Sequence, residues 1–184
     1  MLDRQPVLEG EYLRLRPLRD NDWDALFAVA ADPLIWAQHP ANDRWQEPVF
    51  RAFFNHALAG GGALVATDAR TGAVIGSSRF QGLEEADGGS VEIGYTFLAR
   101  AAWGGLYNHE MKRLMIAHAL ASVAGVRFVV GEGNTRSRRA LERIGARLTS
   151  RTEERIMAGG AVVLHLTYTI TRDDFAQGPL APVS

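Results

Sequence analysis

The stretch that decides the fold spans residues 91–105 and reads Val91-Glu92-Ile93-Gly94-Tyr95-Thr96-Phe97-Leu98-Ala99-Arg100-Ala101-Ala102-Trp103-Gly104-Gly105. The part up to Leu98 alternates in character, as in a strand whose successive side chains point to opposite faces. This alternation predicts that Tyr95 lies on an apolar face with Val91, and that Glu92 and Gly94 lie on the other face. The small residues that follow predict a loop that opens a helix.

A long helix and a buried strand follow this loop. One side of the helix carries Met111, Leu114, Met115, His118 and Ala119. Residues 126–130 form a short apolar strand, of the kind found inside a sheet. A strand, loop, helix and second strand of this length predict a right-handed crossover that leaves the two strands parallel in one sheet.

The flanking parts of the chain alternate between strand and helix patterns. Helix starts are marked by Asp20 to Asp22, by Pro48 and by Asn134, and glycines mark the turns. The predicted elements are strands over residues 12–18, 63–68, 73–81 and 162–170, a strand before Gly159-Gly160, and helices over 20–32, 48–60 and 134–144. Their order predicts a single mixed α/β domain over residues 8–176, followed by a loose tail over 177–184.

The composition limits the class of protein. The chain has 184 residues, 47% of them hydrophobic, which suits one domain with a substantial core. Its formal net charge of −1 gives no global attraction to nucleic acid or to an anionic membrane, so neither partner is expected. The chain has no cysteine, and no histidine pair has the carboxylate support of a metal site, so no metal is expected. The start lacks a signal peptide and no apolar run approaches the ~20 residues that cross a bilayer, so we expect a cytoplasmic protein.

The loop before the long helix is a candidate phosphate site. The first amide N–H groups of a helix and its dipole favour an anion. Gly104 and Gly105 would let a phosphate approach these amides closely. Glycines after a strand also often only turn the chain, so the loop by itself leaves both interpretations open.

The helix that begins at Asn134 is a second candidate. Arg136, Arg138 and Arg139 lie in its first turns, where positive charges oppose the dipole of their own helix. Arginines at this end are explained by a phosphate that they face. The alternative is a solvated basic face that pairs with nearby glutamates, with Asn134 acting only as the helix cap.

Together these motifs resemble a known family. Val91-Glu92-Ile93-Gly94-Tyr95, Trp103-Gly104, Asn108-His109-Glu110 and Asn134-x-x-Ser137-x-x-Ala140-x-x-x-x-Gly145 follow one another as in the GCN5-related N-acetyltransferases (GNAT), most closely the RimJ/RimL type. The resemblance covers about residues 8–168 and includes the opening Leu13-Arg14-Leu15-Arg16-Pro17-Leu18. It implies a largely antiparallel mixed sheet with a central, splayed parallel pair of strands flanked by helices, and acetyl-CoA as the acyl donor.

The resemblance also implies roles for individual residues. The segment from Leu98 to Gly105, with Arg100, Trp103 and Gly104, would hold the pyrophosphate of coenzyme A. Asn134 would contact pantetheine, and Arg136, Arg138 or Arg139 would contact the nucleotide phosphates. Ser137 would offer its hydroxyl to the leaving thiolate, and Glu92 would lie beside the acceptor amine.

Glu92 is the best candidate for a catalytic base. Aminolysis of a thioester needs a neutral amine, and an unperturbed amine is mostly protonated at neutral pH. Glu92 shares its predicted face with Gly94, whose missing side chain leaves room for a ligand. The alternative is a hydrogen-bonded glutamate with no chemical role. Tyr95 and His118 are predicted to belong to the core, and His39 is a weaker candidate for the acceptor site.

Two departures from the family pattern leave a second function open. Leu106 stands where the family usually has a further glycine, and Leu141 stands where many members carry a tyrosine acid. These departures fit a non-catalytic protein that binds acyl-CoA as a sensor. The main prediction is an N-acetyltransferase that acts by direct transfer in a ternary complex. Its acceptor would be a small-molecule amine or a protein N-terminus, and family analogy leaves a homodimer open.

Overall fold

The computed structural model describes residues 1–157 and 160–181, and these form one sheet with helices on both faces. The strands are β1 (Leu8–Glu9), β2 (Leu13–Pro17), β3 (Ala63–Asp68), β4 (Val74–Glu84), β5 (Ser90–Leu98), β6 (Gly125–Gly131), β7 (Arg147–Ile156) and β8 (Val162–Thr171). Their order in the eight-stranded sheet is β1-β2-β3-β4-β5-β6-β8-β7. Within the described residues β5 and β6 are parallel and the other neighbours are antiparallel. The predicted fold class is confirmed.

The helices form two layers. They are α1 (Trp23–Ala30), α2 (Pro33–Trp36), α3 (Glu47–Gly60), α4 (Leu106–Leu120), α5 (Thr135–Arg143) and α6 (Arg172–Gln177). On one face of the sheet, Leu26 of α1 and Phe50 of α3 belong to a core cluster with Phe97. On the other face, Met111 and Met115 of α4 pack in a cluster with β5 and β6. Apolar burial against both faces therefore holds the sheet between the layers.

Some predicted boundaries need correction. The first helix was predicted to run as far as residue 32, but α1 already ends at Ala30 and Pro33 begins the short helix α2. This start is favoured because Asp32 accepts a hydrogen bond from the amide of Leu34 and proline suits the first helical position. The tail predicted to be loose contains Leu180, which is only 1% exposed, so the chain returns to the core at this residue. Residues 182–184 lie outside the described part of the chain, as do residues 158–159 at the predicted Gly159-Gly160 turn.

A bulge in β5 overturns the predicted alternation. Ser77 pairs with Phe97 and Arg79 with Gly94, so two residues of β5 oppose Ser78 alone. Tyr95 sits in the bulge with a φ of 51°. The extra residue reverses the faces, and Tyr95 points toward α3 rather than into the core beneath β5. The prediction that Tyr95 is a core residue on the face of Val91 was wrong.

The two parallel strands part soon after they meet. β5 and β6 pair over Ser90 to Glu92 and Gly125 to Arg127. Beyond Glu92, β5 continues to pair with β4 as far as Leu98, and β6 continues to pair with β8 as far as Gly131. A V-shaped opening therefore forms between β5 and β6, and the edge of β5 that faces it keeps unpaired backbone groups. The splayed pair implied by the resemblance is confirmed.

Glu110 fixes α4 to the start of the domain. Its carboxylate is buried and accepts backbone hydrogen bonds from Glu11, Tyr12 and Leu13 at 2.7, 2.8 and 2.9 Å. Hydrogen bonds from backbone N–H groups to a carboxylate are charge-assisted and are among the stronger ones in proteins. This contact holds the beginning of α4, and with it the loop of Gly104 and Gly105, in a defined place above the sheet.

Candidate active site

The N-terminus of α4 is open to an anion. Gly104 has a φ of 76°, and a β-carbon built on Gly104 or on Gly105 would meet no atom of the described residues within 4 Å. Among the described residues no side chain caps the N-terminus of α4, since Gly105 occupies the cap position. The first amides of α4 therefore point into open space, as a phosphate site requires.

The N-terminus of α5 is already satisfied by protein groups. Asn134 caps the helix by accepting a hydrogen bond from the amide of Ser137 at 3.3 Å. Gln38 Oε1 accepts from the amide of Arg136 at 3.1 Å and from the hydroxyl of Thr135 at 3.2 Å. Gln38 comes from the segment between α2 and α3, and sequence reasoning missed it. Asn134 thus has the capping role, and an anion is better placed at α4 than at the α5 amides.

The three arginines of α5 do not share one surface. The Arg136 guanidinium lies 4.2 Å from the centre of the Trp103 ring and donates to the carbonyl of Ile35 at 2.7 Å. Arg136 and Arg139 line a cavity of about 220 Å³ together with Gln38, Thr135 and Arg143. Arg138 instead donates to the Glu132 carbonyl and to the Tyr168 hydroxyl. Helical spacing explains this split, because residues 136, 139 and 143 follow one face and residue 138 another.

The remaining residues of the predicted pyrophosphate segment are mostly engaged within the protein. Leu98 is buried, and its carbonyl accepts a hydrogen bond from the Trp103 indole at 2.9 Å. Arg100 forms an ion pair with Asp32, the cap residue of α2. The segment therefore offers Gly104, Gly105 and the half-exposed face of Trp103 to a ligand, whereas Arg100 holds the loop against α2.

Glu92 lies on β5 just before the strands part. It is 7% exposed, and its Oε1 accepts a hydrogen bond from Gln81 Nε2 at 2.8 Å. A β-carbon on Gly94 would come within 2.9 Å of the same oxygen, so only glycine leaves this side of the carboxylate clear. Glu92 is therefore buried and held in place beside a gap in the side-chain layer, and Ser137 is partly exposed in the first turn of α5.

A cluster of cations and aromatic rings lies next to Glu92 and was missed from the sequence. Arg79 of β4 and Arg44 of the segment between α2 and α3 both lie over the rings of Tyr95 and Phe53. His56 of α3 completes it by accepting a hydrogen bond from Arg79 Nη1 at 3.1 Å. We call these five residues the Arg44–Arg79 cluster. Its members come from four segments, so no local pattern reveals it.

Comparison with known proteins decides the family. The model of the acetyltransferase (GNAT) domain family matches residues 12–147. The chain belongs to the GNAT acetyltransferase family. A search of the curated proteins found no significant match.

Solved structures resemble this GNAT acetyltransferase over nearly its whole length. A protein from T. thermophilus classed as an acetyltransferase is 26% identical, with a TM-score of 0.76, over 95% of this chain and 94% of that one. A GCN5-related N-acetyltransferase from Brucella melitensis is 20% identical, with a TM-score of 0.76, over 93% and 80%. RimJ of Mycobacterium smegmatis, solved with CoA-disulfide, is 20% identical, with a TM-score of 0.69, over 91% and 86%.

The geometry fits the acyl donor of this family. GNAT domains bind acetyl-CoA and transfer its acyl group. In this chain the uncapped start of α4, with space beside Gly104, suits the pyrophosphate. The unpaired edge of β5 beyond Glu92 suits the amide groups of pantetheine. The acceptor would then enter from the face of Glu92 and the Arg44–Arg79 cluster.

Two further titratable groups lie at this opening of the GNAT domain. Burial, with the charges of Arg44, His165 and Arg136, lowers the pKa of His39 to about 3, so its ring is neutral at neutral pH. Lys112 of α4 is buried beneath the bulge, where its Nζ donates to Thr96 Oγ1 at 2.8 Å and lies 5.1 Å from the Phe128 ring. Burial lowers the pKa of Lys112 to about 7.

A larger cavity lies away from this site. It measures about 460 Å³ and is lined by residues around α6, including Gly145, Arg147 and Asp174. Arg147 and Asp174 of this cavity form an ion pair with each other at 2.9 Å. The open start of α4, the unpaired edge of β5 and Glu92 do not line this larger cavity.

The described residues also exclude two kinds of feature. No group of three or more His, Asp or Glu side chains in residues 1–157 and 160–181 could hold a metal ion. In the same residues no helix combines the length and the apolar character that a membrane span needs.

Proposed function

We propose that this GNAT acetyltransferase moves an acetyl group from acetyl-CoA onto a primary amine, by direct transfer in a ternary complex. The observation that carries the proposal is the meeting of three features at one opening. These are the uncapped start of α4, the unpaired edge of β5, and a buried carboxylate, Glu92, beside the gap at Gly94. The acceptor we expect is a small-molecule amine or a protein N-terminus, and the motif order favours the RimJ/RimL branch. We expect a cytoplasmic protein.

The proposed reaction uses groups of this chain at each step. Glu92 takes a proton from the acceptor ammonium, directly or through water, and the neutral amine attacks the thioester carbonyl. A backbone N–H on the unpaired edge of β5 polarises that carbonyl as an oxyanion hole does. The C–N bond forms, the C–S bond breaks, and the attacking nitrogen releases its second proton to solvent. The thiolate of coenzyme A takes a proton from solvent, either directly or through the hydroxyl of Ser137, which solvent then re-protonates. Much of the rate comes from holding amine and thioester together.

A screen of amines tests this function. The protein is mixed with acetyl-CoA and with grouped amines (amino acids, peptides with a free N-terminus, polyamines and aminoglycosides), and release of free thiol is followed. We expect turnover with at least one group. Tight binding of coenzyme A without turnover on any amine would overturn the proposal in favour of the acyl-CoA sensor, to which Leu106 and the buried Leu141 would also fit.

The Gly104→Val variant tests the pyrophosphate site. Valine at a φ of 76° is strained, and its side chain would occupy the space that a phosphate needs. We expect the Kd for coenzyme A to rise at least about tenfold, which corresponds to about one charge-assisted hydrogen bond. Isothermal titration calorimetry measures the effect.

The matched control for this variant is Gly160→Val. Gly160 has a similar φ of 81° and equally open surroundings among the described residues, in the turn before β8. It should show the same cost in stability and an unchanged Kd for coenzyme A. An unchanged Kd in a folded Gly104→Val protein would remove the phosphate from this loop.

The cavity between Arg136 and Arg139 predicts recognition of a further phosphate. We expect Arg139→Gln to weaken binding of coenzyme A about tenfold, and to weaken dephospho-coenzyme A much less because that ligand lacks the 3′-phosphate. Arg138→Gln is the matched control, since Arg138 is held by Glu132 and Tyr168 on another face. Equal losses for both ligands would show that Arg139 does not read that phosphate.

A further inference from the structure

Arg79 is a buried cation that lacks an acidic partner in the described part of the chain. Its side chain starts on β4, and the residue is 3% exposed. Nη1 donates to His56, but Nε and Nη2 have no hydrogen-bond partner in residues 1–157 and 160–181. Burying polar N–H groups without partners is costly, and a buried charge usually has a partner of opposite sign.

Arg44 brings a second cation to the same rings. Its guanidinium lies 4.8 Å from the centre of the Phe53 ring and 5.4 Å from that of Tyr95. Arg79 lies 5.5 Å and 4.5 Å from the same two rings. Burial, and to a lesser extent the nearby charge of Arg79, lowers the pKa of Arg44 to about 10. The two guanidinium groups therefore share one aromatic surface, and the ion pairs among the described residues leave both of them out.

Two other arginines of this chain that are buried or partly buried do have acidic partners. Arg16 pairs with Asp22 at 2.5 Å, and Arg127 pairs with Glu84 at 3.2 Å. The fold thus provides carboxylates to arginines elsewhere. Arg79 is more buried than either of them and differs by having none among the residues that the structure describes.

The position of Arg79 relates it to the proposed base. Gln81 pairs with Glu92 across β4 and β5, and Arg79 pairs with Gly94. Arg79 and Gln81 are two residues apart on one strand, so they project from the same face, roughly 7 Å apart along it. A molecule whose amine lies at Glu92 would therefore reach Arg79 with a group only a few bonds away.

We propose that the acceptor carries a carboxylate near its amine, and that Arg79, assisted by Arg44, binds this carboxylate. The inference rests on the proposed function. A carboxylate would supply acceptors for the unpartnered N–H groups of Arg79, and the arginine fork matches its geometry. A negative carboxylate at Glu92 and two cations beside it are complementary to a molecule with an ammonium and a carboxylate. Free amino acids have this chemistry, as do peptides whose first residue is acidic.

The first experiment compares acids with their amides on the unaltered protein. Thiol release from acetyl-CoA is measured with a panel of L-amino acids, with their carboxamides, and with peptides that begin with Asp, Glu, Asn or Gln. We expect kcat/KM for the acids, or for the acidic peptides, to exceed that of the uncharged partners at least tenfold. The α-amine of an amino-acid carboxamide is less basic than that of the free acid, so a larger fraction of it is neutral and able to react. Intrinsic reactivity would therefore favour the carboxamide, and a preference for the acid must come from binding.

The panel separates the two levels of the proposal. Turnover of acids and amides at equal rates would overturn the carboxylate and leave the acetyltransferase standing. Absence of turnover with every amine, charged or uncharged, would overturn the proposed function itself. Preference for acidic peptides over free amino acids, or the reverse, identifies the source of the carboxylate.

Variants of Arg79 add a test that a structural role would not pass. Arg79→Gln should raise KM for the acid at least tenfold and change KM for the amide little, while Arg79→Lys should recover part of the loss. Arg51→Gln is the matched control, because Arg51 also stacks on an aromatic ring, Trp23, at 3.7 Å, but on the outside of α3. Equal changes for acid and amide in Arg79→Gln would contradict the proposal. If that variant does not fold, the acid and amide comparison on the unaltered protein decides.

Discussion

Replacing Glu92 by glutamine is expected to lower kcat by at least tenfold near neutral pH, because general-base catalysis is typically worth ~10²–10⁴-fold. The change keeps the size of the side chain, and its oxygen can still accept the hydrogen bond from Gln81. What is lost is the ability to take the ammonium proton. The Kd for acetyl-CoA should change little, since the donor binds along β5 and α4. Steady-state kinetics with an identified acceptor measure both quantities.

The pH dependence separates a base from a structural carboxylate. Part of the lost rate should return at high pH, where the acceptor amine is already neutral without help. Glu84→Gln is the matched control, since Glu84 is a carboxylate of the same sheet that pairs with Arg127 and Arg151 at the surface. A Glu92→Gln enzyme with the kcat of the unaltered protein at every pH would leave Glu92 without a chemical role. Catalysis would then rest on positioning and on deprotonation by solvent.

The order of elements was predictable because each depends on local signals. The strand-loop-helix-strand pattern from residue 91 to 130 predicts a right-handed crossover, because connections of this kind almost always have that hand. The structure has the parallel pair of strands that this crossover requires. The turn at Gly72, with a φ of 73°, joins β3 and β4 as expected. The open start of α4 could be predicted because two glycines, Gly104 and Gly105, precede the helical pattern. Neither has a side chain that could cap the helix.

The faces of β5 were predictable only as far as Gly94. Alternation assumes one residue per pleat, and the bulge at Tyr95 adds a residue without any change in composition. A positive φ at a tyrosine is unfavourable, so no propensity argument would place the bulge there. The bulge brings Tyr95 to the face of Arg79 and Thr96 to the face of Lys112. It thereby creates both the Arg44–Arg79 cluster and the hydrogen bond between Lys112 and Thr96.

The contacts that complete the site depend on long-range packing. Gln38 reaches α5, and Arg44 reaches β5, from one segment that carries no motif. Pro40 of this segment packs closely on Gly131, since a β-carbon added to Gly131 would lie 2.6 Å from the Pro40 ring. Such contacts follow from how α2 and α3 pack, which periodicity does not reveal. Lys112 did have a signal, because it is the single lysine of a chain that otherwise uses arginine.

Stability should rise with pH between about 7 and 10, and Lys112 should be the cause. The pKa of its amine is lowered by burial from 10.5 to about 7 in the folded protein. Below pH 7 both folded and unfolded chains hold the proton, and the folded chain bears the full cost of a buried charge. Between pH 7 and 10.5 the unfolded chain still holds the proton that the folded chain has released. The free energy of unfolding therefore increases with pH across this window.

The expected size is on the order of 3–5 kcal/mol over the whole window, since one pKa unit corresponds to 1.36 kcal/mol. The window contains few other groups. The sequence has no cysteine and no second lysine, and the pKa values of Tyr12 and Tyr107 are raised. The pKa of Arg44, lowered to about 10, adds to the rise only at the upper edge of the window. Urea unfolding at steps between pH 6.5 and 10 would measure the slope directly.

Lys112→Met should remove this slope and stabilise the protein at pH 7 and below. Methionine fills a similar volume without a charge to desolvate, although it loses the hydrogen bond to Thr96. Arg113→Met is the matched control, because it removes a neighbouring cation of α4 and should leave the slope unchanged. If the free energy of unfolding changed with pH in the same way in the unaltered protein and in Lys112→Met, the Lys112 amine would not be buried. The packing of α4 beneath the bulge of β5 would then differ from the one described.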